Sequence, residues 1–355
     1  MSKMNEMDVI VELSHEFGGP AYVKGGGGNT SVKNESTLWV KPSGTTLSGL
    51  TPERFVAMNR AKIDDLYAVP TPKDAGAREE TVKNLMAAAV ENDAGRPSVE
   101  APLHNVFEAT YVVHTHPMLV NGLTCAVDGE AACERLFPDA LWVEYIDPGY
   151  TLCMVVRERI QRYKAEHEHQ PALVVLQNHG IFVAADTAEE IRALYSRVMD
   201  AVREEYLAAG IELDLAIADT PVAPETEAAI QSTFGADAAF LASSGLFPVA
   251  PGPITPDHLV YARAYPYSGS LGAKGADAYR AEHGFAPKIV IAGDRVYGIG
   301  SSQKNADLAL ELAQDGAFVM QLSVAYGGIN YMTAGQREFI ENWEVEAYRQ
   351  AQVQG

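Results

Sequence analysis

Tyr111-Val112-Val113-His114-Thr115-His116-Pro117 is the stretch on which this chain turns. Its apolar run predicts a buried strand, and side chains two apart on a strand share a face. His114 and His116 therefore stand side by side at the strand's end, as metal binding requires. Upstream lies the acidic Glu100. Downstream, Leu176-Gln177-Asn178-His179-Gly180 brings another histidine to the end of a second apolar run. A lone His-x-His is often only a polar strand end. His179 beside a glycine, with Glu100, turns the pair into a ligand set suited to Zn²⁺ or another divalent cation.

At 355 residues the chain can bury a full core, and its length suggests two domains or one large one. Its hydrophobic content of 47% and charged content of 21% are ordinary for a globular protein. A formal charge of −20 excludes a nucleic-acid partner, which needs a positive footprint. No run of eighteen apolar residues stands in the sequence, so no membrane span is expected. The stretch Met1–Asp8 is polar and lacks the apolar centre of a signal peptide, which predicts a cytoplasmic protein. Cys125, Cys133 and Cys153 are odd in number and lack CxxC spacing. They read as buried thiols in a reducing compartment.

The spacing of apolar residues predicts helices over 8–17, 78–92, 100–107, 151–165, 188–208, 304–325 and 336–349, with Thr187 capping the fifth. Strands are expected at 38–41, 142–146 and 172–177, the last continuing through 181–185. A hairpin is expected over 288–292 and 295–299 across Gly293-Asp294. The polar, proline-containing stretch 219–227 is the best boundary, giving domains 1–217 and 228–355. Interleaved strands and helices make the class α/β.

Gly25 to Asn29 does not make a dinucleotide fingerprint, because Thr30 stands where a glycine is needed; no Walker lysine follows either. Glycine-rich turns do let N–H groups converge on an oxyanion. Gly28-Asn29-Thr30-Ser31 and Lys41-Pro42-Ser43-Gly44-Thr45, with Ser98, could clasp a phosphate, although each turn alone is ordinary turn chemistry.

Taken together, Gly28-Asn29-Thr30-Ser31, Ser43-Gly44, Pro97-Ser98-Val99-Glu100 with His104, His114-Thr115-His116 and Asn178-His179-Gly180 resemble the class II aldolase/adducin family. The resemblance runs from about residue 8 to 210 and is nearest to fuculose- and rhamnulose-phosphate aldolases. It implies a three-layer fold: a central, mostly antiparallel sheet flanked by helices, followed here by a smaller α/β C-terminal region like that of long rhamnulose-type domains. It implies His114, His116 and His179 as Zn²⁺ ligands, with Glu100 as acid/base and a further ligand to the empty metal site. It implies Gly28, Asn29, Ser43, Gly44 and Ser98 as phosphate binders, with one donor fewer where Val99 replaces a serine. The Glu100–His114 gap is also shorter than in fuculose-type enzymes.

The implied reaction is reversible cleavage of a ketose 1-phosphate to dihydroxyacetone phosphate and a small aldehyde such as lactaldehyde. A second acid is needed for the aldehyde half, and Tyr145 is the candidate, ahead of Tyr150 and Glu144; a core aromatic is the plainer reading of Tyr145. The resemblance also implies a homotetramer acting on a small sugar phosphate. Epimerase, dehydratase or decarboxylase chemistry on a sugar-acid phosphate would use the same metal site. An adducin-like assembly module would use the same fold without it.

Overall fold

The computed structural model describes residues 5–69 and 75–343. Among them, two compact units form: residues up to Val120 with Glu130–Ala201, and Asn121–Gly129 with residues from Val202 onward. The division falls inside a long helix, not in the polar 219–227 stretch. Composition there marks a change of chain character, whereas compactness follows packing.

The first unit is built on strands β1 (Asn29–Lys33), β2 (Thr37–Val40), β3 (Val56–Asn59), β4 (Tyr111–Thr115), β5 (Leu141–Val143), β6 (Leu173–Leu176) and β7 (Gly180–Ala185). They form one sheet in the order β3-β2-β1-β4-β7-β6-β5. Every neighbouring pair is antiparallel except β5 with β6. Helices α1 (Glu6–Glu16), α2 (Arg60–Ala68), α3 (Ala75–Ala89), α4 (Ala101–Val106), α6 (Gly129–Leu136) and α7 (Tyr150–His167) accompany them, while the chain passes between the units within α5 (Met118–Thr124) and α8 (Ala188–Ala208).

Alternation across the pleat sets the layers. Val112, Phe182 and Ala184 point to one face, where they meet Leu103 and Phe107 of the α4 region and Leu152, Val156 and Ile160 of α7. On the opposite face the Thr30 hydroxyl meets Ser14 of α1 at 2.7 Å, and the Thr115 hydroxyl meets Tyr195 of α8 at 2.7 Å. The result is the expected three-layer α/β fold.

Two local expectations change. The apolar run 172–185 does not continue as one strand: Gln177-Asn178-His179 reverses it, and β6 pairs with β7. Asn178 takes the reversal at φ 51°, a left-handed conformation that asparagine tolerates better than most residues. The strand expected over 142–146 shortens to β5, ahead of the Asp147-Pro148-Gly149 stop.

The second unit holds β8 (Phe240–Gly245), β9 (Ile289–Ala292) and β10 (Arg295–Gly300), with α9 (Pro224–Phe234), α10 (Pro256–Tyr261), α11 (Ala273–His283), α12 (Gln303–Ser323) and α13 (Ala334–Asn342). Its antiparallel sheet has the order β8-β10-β9. The hairpin expected across Gly293-Asp294 is present. Of the helix expected over 336–349, the part beyond residue 343 lies outside the described residues. No helix among the described residues is long and apolar enough to cross a membrane.

Candidate metal centre

Register places the central residues. Asn29 of β1 lies opposite His114 of β4, and His114 lies opposite Phe182 of β7. The three form a row across adjacent strands on the α4/α7 face. The Phe182 ring stacks on the His114 imidazole with centroids 3.9 Å apart. His114 is fully buried, and its Nδ1 donates to the Ile181 carbonyl at 2.8 Å. That bond fixes the tautomer of a neutral ring and turns the Nε2 lone pair into the site.

His116 follows the last residue of β4, its backbone N–H held by the Tyr22 carbonyl at 2.9 Å. Its Nε2 lies 3.0 Å from Nε2 of His114. His179 arrives on the turn between β6 and β7. One ligand atom from each of His114, His116 and His179 lies within 4.8 Å of the other two. Ligands of a tetrahedral zinc at about 2.0–2.1 Å from the ion stand roughly 3.3 Å apart, so small adjustments of these rings suffice. The donor set fits a divalent metal.

Close approach explains the glycine after His179. A Cβ on Gly180 would lie 2.3 Å from the Thr115 carbonyl oxygen and 2.7 Å from Cδ2 of His116. Gly28 meets a similar constraint: its φ is 66°, and a Cβ would sit 2.8 Å from the His114 carbonyl oxygen.

Glu100 stands at the N-terminal end of α4 and is buried. Its Oε2 lies 3.5 Å from His114 Nε2, and its Oε1 lies 3.8 Å from His179 Nε2. Asn29 donates to Oε2 at 2.5 Å. The sequence-predicted Glu100, His114, His116, His179 and Asn29 thus gather at one place.

Ser98 adjoins them: its hydroxyl accepts from the Glu100 backbone N–H at 3.3 Å. Its own N–H bonds the Lys41 carbonyl at 3.1 Å, and the Ser43 N–H bonds the Arg96 carbonyl at 2.9 Å. The turns carrying Ser43-Gly44 and Ser98 are therefore tied to each other, with Gly44 at φ 79°.

Tyr145 is half-buried, and its N–H donates to the Gln177 side chain at 3.0 Å, next to the turn that carries His179. Glu144 is drawn outward to Arg159, and Tyr150 is packed in the apolar cluster of Leu38, Met86 and Ala101.

Two residues carried more than their sequence signal. Lys41 is buried, and its ammonium donates to the Gly26 carbonyl at 3.2 Å, placing a cation beside the turns. His104, a lone histidine in a helical stretch, is fully buried between Ser31 and Asn29. Burial holds its imidazole well below the ordinary value, against the opposing pull of Glu100.

A layered α/β unit with three convergent imidazoles and a carboxylate at one end of its central strands is the architecture of a metal-site protein of aldolase fold. The chain belongs to the class II aldolase and adducin N-terminal domain family, whose model matches residues 8–206. It is 29% identical over 189 residues to the uncharacterized oxidoreductase YuxG of Bacillus subtilis (strain 168). That match takes in 50% of this chain and 26% of YuxG, so the chain spans about a quarter of that relative.

Among solved structures, the fold is similar to the N-terminal class II aldolase domain of a conserved protein from Thermoplasma acidophilum. The TM-score is 0.50 at 22% identity, covering 57% of this chain and 95% of that one. The L-fuculose-1-phosphate aldolase of Thermus thermophilus gives a TM-score of 0.38 at 16% identity, covering 57% and 96%.

Proposed function

We propose that this chain is a divalent-metal-dependent aldolase, using Zn²⁺, that reversibly cleaves a ketose 1-phosphate to dihydroxyacetone phosphate and a small aldehyde such as lactaldehyde. The observation that carries the reading is the convergence of His114, His116 and His179, with the Glu100 carboxylate 3.5 and 3.8 Å from two of the rings. His114, His116 and His179 would hold the metal, with Glu100 able to complete the set when no substrate is present. A bound divalent cation supplies Lewis-acid stabilisation for the negative charge that develops on substrate oxygens as the carbon–carbon bond breaks.

The chain's own groups do the rest. Glu100, beside the imidazoles, moves the proton on and off the carbon next to the ketone. Tyr145 exchanges the proton of the aldehyde-half hydroxyl. Gly28, Asn29, Ser43, Gly44 and Ser98 cradle the phosphate. Asn29 already bonds Glu100 and His104, so one N–H of its amide remains for that role. Family resemblance extends the proposal to a cytoplasmic homotetramer, which light scattering of the purified protein would test.

The decisive experiment pairs elemental analysis with an aldol assay. Purified protein is expected to carry about one zinc per chain, as a site of three histidines and an open position holds a single ion. It should condense dihydroxyacetone phosphate with lactaldehyde. Glu100→Gln should keep the metal and lose at least about 10²-fold in turnover. Release of water or CO₂ in place of aldehyde would move the assignment to a dehydratase or decarboxylase, and isomeric sugar phosphate to an epimerase. Bound metal without turnover of any ketose phosphate would favour an assembly module.

A further inference from the structure

We propose that His104 is a positioning residue for Glu100, held as the neutral Nε2–H tautomer within a one-way hydrogen-bond chain from Ser31 through His104 and Asn29 to the carboxylate. The proposal rests on the reading of Glu100 as the proton carrier and says what keeps that carboxylate in place.

Two periodicities build the chain. Asn29 and Ser31 are two apart on β1 and share a face, while Glu100 and His104 are four apart at the start of α4. Where strand and helix meet, the four side chains alternate. Ser31 Oγ lies 2.7 Å from His104 Nδ1, His104 Nε2 contacts Asn29 Oδ1, and Asn29 Nδ2 lies 2.5 Å from Glu100 Oε2.

The direction follows from donor and acceptor inventory. An ionised carboxylate only accepts, so the amide nitrogen of Asn29 must face Glu100 and its oxygen must face His104. His104 Nε2 must therefore carry the proton. In a neutral ring Nδ1 is then an acceptor, and the Ser31 hydroxyl must donate to it. Every donor in the chain points toward Glu100, so the bonds polarise one another in the same sense.

The opposite tautomer would set a ring lone pair against the Asn29 carbonyl oxygen. Relieving that clash by flipping the amide would set the same oxygen against the carboxylate. Between the two tautomers of a neutral ring, the arrangement therefore selects one. It fixes Oε2 and turns Oε1 toward His179, 3.8 Å away. His104 is not one of the three clustered imidazoles; it acts on the site through Asn29.

Histidine-selective ¹⁵N labelling of the protein as purified tests the direction, with the His104 signals assigned by their loss in His104→Gln. The expected pattern is a neutral ring protonated at Nε2. A ring protonated at Nδ1, or at both nitrogens, overturns the proposal. Ser31→Ala is the milder variant should the ring replacements not fold; it should weaken the bias toward the Nε2–H form, and an unchanged pattern counts against the chain.

Positioning is read separately, from dihydroxyacetone phosphate and lactaldehyde condensation. His104→Phe should lose about 10²-fold in kcat, the scale of a misplaced catalytic group, with KM and metal content near those of the parent. His104→Gln, whose amide N–H can serve Asn29 Oδ1, should recover most of that loss. Equal losses in Phe and Gln variants, or a loss confined to metal content, sink the positioning role. Absence of aldol activity in the parent chain would defeat the functional reading instead, and the ring signals alone would then decide the hydrogen-bond direction.

Discussion

Two buried histidine–carboxylate groups, one in each unit, are alike in composition and opposite in what their nitrogens face. In the second unit, His258 spends Nδ1 on the Thr255 hydroxyl at 2.7 Å and Nε2 on Asp315 at 3.1 Å. Both nitrogens are consumed by the protein, so the ring is a strut between α10 and α12. Gly316 admits it closely: a Cβ there would stand 3.1 Å from His258 Cδ2. In the first unit, His114 gives Nδ1 to a backbone carbonyl and turns Nε2 toward two other donor side chains, His116 at 3.0 Å and Glu100 at 3.5 Å. A buried histidine near an acid is commonplace. A nitrogen oriented by the backbone and aimed at other donors is what marks a site.

Replacing each ring by alanine should break this comparison in opposite ways. His114→Ala removes a ligand atom, and its loss of metal affinity should exceed the roughly 10–100-fold that follows removal of a ligand's outer hydrogen-bond partner. His258→Ala should leave metal affinity unchanged and instead strand Asp315, a buried carboxylate, at a cost of about 3 kcal/mol in stability. Metal titration against a chelator and chemical denaturation measure the two. Equal loss of metal in both variants would erase the distinction.

A subtler break uses Gly180. Its missing side chain is what lets His116 lie against the β6–β7 turn, since a Cβ would fall 2.7 Å from the ring and 2.3 Å from a backbone oxygen. Gly180→Ala should shift His116 while sparing the apolar layers. Metal affinity is expected to fall by about tenfold, the lower end of what disturbed ligand orientation costs. An unchanged affinity would mean that His116 is not held where the ligand set requires it.

What could be read from the chain follows the range of the signals. His114 and His116 were legible because a strand's period of two puts them together without knowledge of anything else. His179 was legible as a second histidine-bearing strand end and Glu100 as the acid upstream, and the resemblance added their roles; the register of β1, β4 and β7 explains why such distant residues meet. The reversal at Asn178 was hidden because apolar residues lie on both sides of it, and a pattern of burial does not record chain direction. α2 and β3 were missed as well: Arg60–Ala68 mixes charges evenly, with Ile63 and Leu66 as its only buried anchors. His104 stood in the motif that follows Glu100, but its partners were hidden, because Ser31 and Asn29 lie 73 and 75 residues away. The sequence neighbourhood of His258 likewise does not show that its two nitrogens meet Thr255 and Asp315.

A pH dependence sharpens the contrast from the other end of β1. Lys33 shares a strand with Asn29 and Ser31, yet its buried ammonium donates to one carbonyl, that of Ala109, at 2.8 Å. Burial lowers its pKa to about 7, Arg60 pushes the same way and Asp186 opposes. The folded value therefore lies below the unfolded one of 10.5. Between those values the unfolded chain holds more protons than the folded one, so stability should rise with pH through that window. The contribution of this group has a slope of at most about 1.4 kcal/mol per pH unit. Below about pH 7 the lysine is charged in both states, its burial penalty is felt in full, and its slope vanishes. Lys33→Met, which keeps the stem and removes the charge, should flatten the rise when denaturation is followed from about pH 7 to 10. If the variant shows the parent's slope, the buried ammonium is not its source, and Lys33 belongs with the satisfied polar groups of Asn29 and Ser31 rather than apart from them.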